Sequence, residues 1–286
     1  MRQVIFENGC EELTNDLFDS ILEGDVRGII PLAVPVANIN EWYETDPAIY
    51  ELLLGLSNDD LERIIYYADV VITDEGNSSH HIGDIISYGD VEKEVSDGKT
   101  ISFKSGFPGL RFLLNRLDID SMLNDARRKE KILMGKYESA SEDSGKEELL
   151  GIPREVAKTR SLIDAIVYFL KNKDRLEIKQ INMIPLEIRG ILLEESKGRP
   201  YSVHYDLMTL YSKIISRNQR LKRLLEISAP AIIVRNECRM LQECIDALIA
   251  NGKRKLVTIE NNGKNADDRY GLVSLSDIVL RNVKMF

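Results

Sequence analysis

Arginine and asparagine crowd the stretch RNQRLKRLLEISAPAIIVRN at residues 217–236. A guanidinium is a planar, permanently charged donor that grips carboxylates through paired hydrogen bonds. Arg217, Arg220 and Arg223 recur every third residue, so on a helix they drift slowly around one face. Beyond them, Arg235, Asn236, Glu237 and Gln242 continue the polar series, and Cys244 follows. Between the two groups lies Ile232-Ile233-Val234, an apolar run that reads as a contact patch with Ile233 as its anchor. Such residues recognise acids and amides on a partner; they do not make or break bonds. The plainer alternative, a solvated charged face, leaves Arg217-Asn218 unexplained, because they fall one turn after Ile214 where a packing seam wants an apolar residue.

Other candidates for chemistry are weaker. His80-His81 with Asp84 suggests a metal and, as a remote alternative, an unrelated metal-dependent enzyme, but neighbours on a backbone seldom aim at one ion, so a loop role is expected. Cys10, Cys238 and Cys244 are too few and too scattered for a disulfide framework. With no CxxC pair, a zinc ribbon is excluded on ligand count. No catalytic residue, metal or cofactor is expected.

Two helices must position the arginine-rich surface. Leu207, Leu210, Ile214, Leu221, Leu224 and Leu225 follow helical spacing, as do Leu241, Ile245, Leu248 and Ile249, each set marking one buried stripe. Ser228-Ala229-Pro230 is expected to stop the first helix, since proline cannot continue it. A connection this short makes the pair antiparallel, packed along the apolar seams.

The string Arg217-Asn218-Gln219-Arg220-Leu221-Lys222-Arg223-Leu224-Leu225, then Ala229-Pro230, Ile232-Ile233-Val234-Arg235-Asn236-Glu237 and Arg239-Met240-Leu241-Gln242-Glu243 resembles the clamp helices of the bacterial RNA polymerase β′ subunit. The resemblance implies a coiled-coil docking site for region 2 of a sigma factor. On it Arg217, Asn218, Arg220, Arg223, Ile233, Arg235, Asn236, Glu237, Gln242 and Cys244 are the expected contacts, with Cys244 standing where the family usually has alanine. Residues 29–72 resemble the clamp base of the same subunit, through Ile29–Ala37, Leu52–Leu56 and a helix N-capped by Ser57. The stretches 192–204 and 251–274 take the positions of the family's lid and rudder loops. The family's catalytic aspartate signature, Asn-Ala-Asp-Phe-Asp-Gly-Asp, does not occur in the sequence, and nucleotidyl transfer needs those carboxylates to hold metal. This chain alone is therefore not expected to polymerise RNA. The resemblance leaves three settings open: part of a split or truncated β′ subunit, a stand-alone relative, or a regulator that sequesters sigma or another hairpin-binding factor. Other polymerase subunits are implied partners in the first, and nucleic acid only within an assembled enzyme.

The expected fold is α+β and mainly helical, a clamp-like body with short strands and a protruding antiparallel two-helix coiled coil. Its parts are residues 1–190 as the body, 191–255 as the lid-like loop and hairpin, and 256–286 as the rudder-like loop and return segment. Within the body, helices over Pro108–Asp118, Ile119–Lys136 and from about Arg154 form a second hairpin around a polar linker, residues 137–149. Strands are expected at Val70–Ile72, Ile82–Tyr88, Thr100–Phe103 and Leu176–Met183. At 43% hydrophobic and 30% charged residues, the composition is that of a soluble globular protein. No apolar run reaches the length that spans a bilayer and no signal peptide is visible, so a cytoplasmic site without membrane contact is expected. The net charge is −9, yet residues 206–255 hold ten Lys/Arg against five Asp/Glu. A basic prong on an acidic body suits one acidic partner better than a general polyanion.

Overall fold

The computed structural model describes residues 2–6, 9–13, 28–43, 48–139, 146–183, 203–252, 258–260 and 271–276. The chain forms two compact units: Met1–Val36 together with Ile178–Phe286, and Ala37–Glu177. The architecture is mainly helical with short antiparallel strands. The expected boundaries at 190 and 255 fall outside the described residues, as do 192–202 of the lid-like stretch, most of the rudder-like stretch, residues 140–145 of the linker, and Ile278–Leu280.

In the first unit, strands β1 (Arg2–Phe6), β2 (Gly9–Leu13), β3 (Ile29–Ala37) and β7 (Glu177–Asn182) form a sheet in the order β2-β1-β3-β7. Backbone groups alternate between the two edges of a strand, so Pro31, Ala33 and Pro35 serve one edge of β3. Neither proline has an N–H to offer, which leaves Ala33 as the donor among those three. That edge meets β1 at the Ile5–Ile29 pair. Among the described residues of this unit are two helices, α8 (Val203–Glu226) and α9 (Ala231–Ala250).

The second unit packs α1 (Ile39–Trp42), α2 (Ile49–Leu54), α3 (Asn58–Ile65) and α5 (Gly106–Asn115) around a core that includes Trp42, Ile49, Tyr50, Leu61, Ile64 and Leu110. Ser57 caps α3 as its sequence suggests: its hydroxyl accepts from the Asp60 N–H, and the Asp60 carboxylate accepts from the Ser57 N–H. Strands β5 (Ile85–Ser87), β4 (Asp69–Asp74) and β6 (Ser102–Lys104) make a second sheet, in that order, with α4 (Tyr88–Ser96) beside it. The strand expected around Ile82–Tyr88 is confined to β5 and ends where α4 takes over at Tyr88 from its Ser87 cap, and the one expected around Thr100–Phe103 lies at Ser102–Lys104.

The second hairpin is present, as α6 (Ile119–Ser139) and α7 (Lys146–Asn172). Helix α7 starts upstream of the expected Arg154 and carries Pro153 inside it. A proline forfeits one helical hydrogen bond and strains the turn before it, and here the helix continues through that defect. The pair is held by Ala126, Leu133, Val156 and Ile166, all buried, and by an Arg160 Nε–Glu130 Oε1 bridge of 2.6 Å.

Candidate functional site

Helix α8 is positioned by its buried face. Leu207, Leu210, Ile214 and Leu221 are sealed against α9, whose Leu241, Ile245 and Leu248 are equally buried. Two polar side chains on α8 also reach the sheet. The Tyr211 hydroxyl donates to the Asn182 carbonyl at 3.3 Å. One heptad later, Asn218 accepts from the Ala33 N–H at 2.7 Å and donates to the Pro31 carbonyl at 2.8 Å. These two bonds fix the orientation of the amide, since only Oδ1 can accept from an N–H and only Nδ2 can donate to a carbonyl. Asn218 thus stands in for a neighbouring strand on the proline-flanked edge of β3. It answers the puzzle of a polar residue where the seam wants an apolar one.

The turn between the helices is built differently from the expectation. Helix α8 ends at Glu226, followed by Ser228 in the left-handed region at φ 50°. The Ala229 N–H reaches back to the Leu224 carbonyl at 2.9 Å, and the Ser228 N–H to the Leu225 carbonyl at 3.1 Å. That is a Schellman motif, and it stops the helix before the proline does. Pro230 serves as the N-cap of α9 instead.

Across the seam, Arg217 Nη1 and Arg220 Nε each lie 3.2 Å from a different oxygen of Glu237. The Glu237 side chain is only 2% exposed. The carboxylate for which the arginine spacing is suited is thus supplied first by the chain itself. Gln242 is also buried and donates to Asp246 Oδ1 at 3.0 Å. Four expected contacts, Asn218, Glu237, Gln242 and Cys244, are therefore enclosed. A role for them in direct recognition gives way to one in holding the hairpin, because burying a polar group requires that it be paired inside.

The exposed residues are Arg220, Arg223, Asn236, Ile232 and Ile233, with Arg217 and Arg235 partly exposed. Ile227, Ile232 and Ile233 are 67%, 53% and 42% exposed around the turn. Asn236 accepts from Arg239 Nη2 at 3.0 Å, and Arg239 in turn pairs with Glu243.

On the flank of the hairpin, Lys213, Ser216, Arg217 and Arg220 of α8 face Met240, Glu243 and Cys244 of α9 and Ile259 across a cavity of about 480 Å³. Three cations and a hydroxyl rim a wall of two sulfur side chains. Burial pushes the Cys244 thiol up from 9.0 to about 11, against the pull of Arg217 and Lys213, so the sulfur packs as a small apolar group. Lys213 lies one turn before Arg217 and Ser216 three residues before Gln219; helical spacing alone marks Lys213, but the sequence reading passed over it. It also passed over Asn251. That side chain accepts from the Ile259 N–H at 2.9 Å and donates to the Ile259 and Leu272 carbonyls at 2.8 Å, which ties the end of α9 to the Glu260–Gly271 bridge.

His80 and His81 face different carboxylates: Glu94 at 3.4 Å from Nε2 of His80, and Glu75 at 3.4 Å from Nδ1 of His81. Cys238 and Cys244 are both buried. Among the described residues no helix is long and apolar enough to cross a membrane.

Comparison with known proteins places this geometry in context. Residues 24–266 match the family described as RNA polymerase Rpb1, domain 1. A DNA-directed RNA polymerase subunit β′ from Thermodesulfovibrio yellowstonii is 34% identical over 272 residues, covering 94% of this chain and 18% of that protein. The subunit of the same name from Alkaliphilus oremlandii is 32% identical over 274 residues, covering 94% of this chain and 21% of that protein. The one from Symbiobacterium thermophilum is 34% identical over 251 residues, covering 86% and 19%. The chain spans about a fifth of the length of these relatives.

Proposed function

This chain belongs to the RNA polymerase Rpb1 domain 1 family, as a counterpart of the N-terminal clamp region of β′, and from that premise we propose that its α8–α9 hairpin docks a sigma factor through region 2. The observation that carries the reading is an exposed apolar turn, Ile227, Ile232 and Ile233, on a hairpin that also exposes Arg220 and Arg223. Arg220 and Arg223, with Arg217 and Arg235 beside them, meet acidic and polar groups on the partner. Ile233, with Ile232, supplies the desolvated area on which affinity depends. Glu237 holds Arg217 and Arg220 together, Gln242 and Asn218 hold the helices, and Cys244 forms the cavity wall. Rim charges of this kind raise the association rate and confer specificity more than affinity.

The test is a titration of the purified chain with a primary sigma factor at physiological salt. A dissociation constant below micromolar is expected, and no binding at micromolar concentration would overturn the docking reading. Ile233→Ala is expected to weaken binding about tenfold with the fold intact, as truncation of an interface anchor does.

In an assembled polymerase other subunits supply the catalytic centre, and this chain performs no nucleotidyl transfer by itself. A primer-extension assay with the chain alone is expected to give no product. Recovery of the chain with polymerase subunits would assign it to the enzyme in the cytoplasm, whereas recovery with sigma alone would make it a factor that captures sigma.

A further inference from the structure

We infer that Asn218 is a positioning residue for the docking surface: its side-chain amide locks the rotation of α8 on the sheet and so presents Arg217 and Arg220. The inference rests on the docking reading, and it gives Asn218 a task other than touching the partner.

The edge of β3 is the starting point. Pro31 and Pro35 have no N–H, so no further strand can pair regularly along that edge. What remains is the Ala33 N–H and the Pro31 carbonyl, and Asn218 takes both, at 2.7 and 2.8 Å. The amide has the donor and acceptor of a peptide group, and it uses them as a neighbouring strand would. It is 3% exposed, while Pro31 and Ala33 are partly buried, so removing the amide deprives both backbone groups of their enclosed partner.

The second part is helical geometry. Asn218 is adjacent to Arg217 and two residues before Arg220 on α8. At about 100° per residue, the peg on the sheet and the two arginines lie on different faces of one rigid rod. Fixing the Asn218 face toward β3 therefore fixes the direction in which the arginines leave the helix. The second tether, from the Tyr211 hydroxyl to the Asn182 carbonyl, is longer at 3.3 Å and lies at the other end of the sheet-facing stretch. Removing Asn218 leaves α8 its Tyr211 bond to the sheet, its Glu237 bridges to α9 and the Asp206 bond to the Val273 N–H, and takes away the two directed hydrogen bonds that seat it on β3. Glu237 continues to pair with Arg217 and Arg220 from α9, so what Asn218 adds is the seating of this paired surface on the sheet.

The experiment compares wild type, Asn218→Ala and Asn218→Asp in the full chain. Each variant is measured for affinity to the primary sigma factor well below its melting temperature, and for amide exchange at Ala33. Asn218→Ala is expected to weaken sigma binding about tenfold, as follows if only about a tenth of the chains keep the binding-competent rotation of α8, and to speed Ala33 exchange. Asn218→Asp keeps the acceptor for the Ala33 N–H but must hold a proton to serve the Pro31 carbonyl, so it is expected to restore slow exchange and part of the affinity under mildly acidic conditions and not at alkaline pH; it also serves should the alanine variant not fold. Loss of melting temperature with affinity kept within twofold would show a merely structural residue and overturn the inference while the docking reading stands. Wild-type chain that fails to bind sigma would overturn the docking reading itself, and this inference with it.

Discussion

At the scale of single residues, the hairpin turns on Glu237. Its carboxylate is enclosed and bridges Arg217 and Arg220, so truncating it leaves two guanidiniums without their counter-ion in a partly dry seam. Glu237→Ala is expected to cost about 1–3 kcal/mol, the range for stranding buried polar groups, read as a lower midpoint in urea unfolding. Glu237→Gln, which keeps an acceptor, is expected to cost less; an unchanged midpoint for both would mean the bridge contributes nothing. Cys244 makes a second prediction. Its thiol is held near 11 by burial, from an ordinary 9.0. The folded state therefore keeps a proton that the unfolded state loses first, so the stability owed to this group is complete below pH 9 and is lost as pH rises toward 11. In a chain lacking Cys10 and Cys238, alkylation by iodoacetamide is expected to stay slow through pH 9 when folded and to follow an ordinary thiol once unfolded in urea. Fast alkylation of the folded chain at pH 8 would contradict the enclosed geometry.

At the scale of elements, the turn between α8 and α9 carries a strain that sequence reasoning did not see. Ser228 sits at φ 50°, a region where side chains are costly and glycine is not. Ser228→Gly is expected to stabilise the chain by about 0.5–1 kcal/mol, with helical content unchanged; a lower urea midpoint would mean the serine hydroxyl is earning its place. The element pattern itself was legible: the apolar stripes of α8 and α9, the Ser57 cap and strand β4 follow directly from spacing and residue type. Three things were not. Proline suggests a stop at Pro230, while the actual stop is made by backbone hydrogen bonds two residues earlier. Pro153 suggests a helix start, yet α7 runs through it. For the site, spacing showed that Arg217, Arg220 and Asn218 were unusual but not which way they faced. Only the fold brings Ala33 and Pro31, distant in sequence, against Asn218, and only the fold encloses Glu237 between the arginines. Contacts of that range have no local signature in a single chain.

At the scale of the molecule, residues 37–177 form a unit inserted within another. Their ends are joined: the Asn38 N–H donates to the Leu176 carbonyl at 2.9 Å, and Asn38 Nδ2 to the Arg175 carbonyl at 2.9 Å. The buried indole of Trp42 donates to the same Leu176 carbonyl at 3.2 Å. Arg175 also bridges Glu41 at 2.7 Å, and Tyr168 donates to the other Glu41 oxygen at 2.6 Å. These bonds lie inside the inserted unit, and among the described residues its core, from Ala37 to Leu176, is built from its own side chains. A unit with its own core and adjacent ends meets the physical requirements for folding alone. A chain of residues 37–177 is accordingly expected to express as a folded monomer with one cooperative urea transition and without affinity for sigma, since the hairpin is not in it. The converse chain, with residues 37–177 replaced by a short glycine-serine link, is expected to keep the hairpin and its sigma affinity, because Asn218, Pro31, Ala33, Glu237 and the cavity residues all belong to the other unit. A non-cooperative 37–177 fragment would show that its core depends on the rest of the chain. Sigma binding lost from the linked chain would show that the hairpin borrows rigidity from the inserted unit, a dependence with no counterpart in the bonds that hold α8 to its sheet.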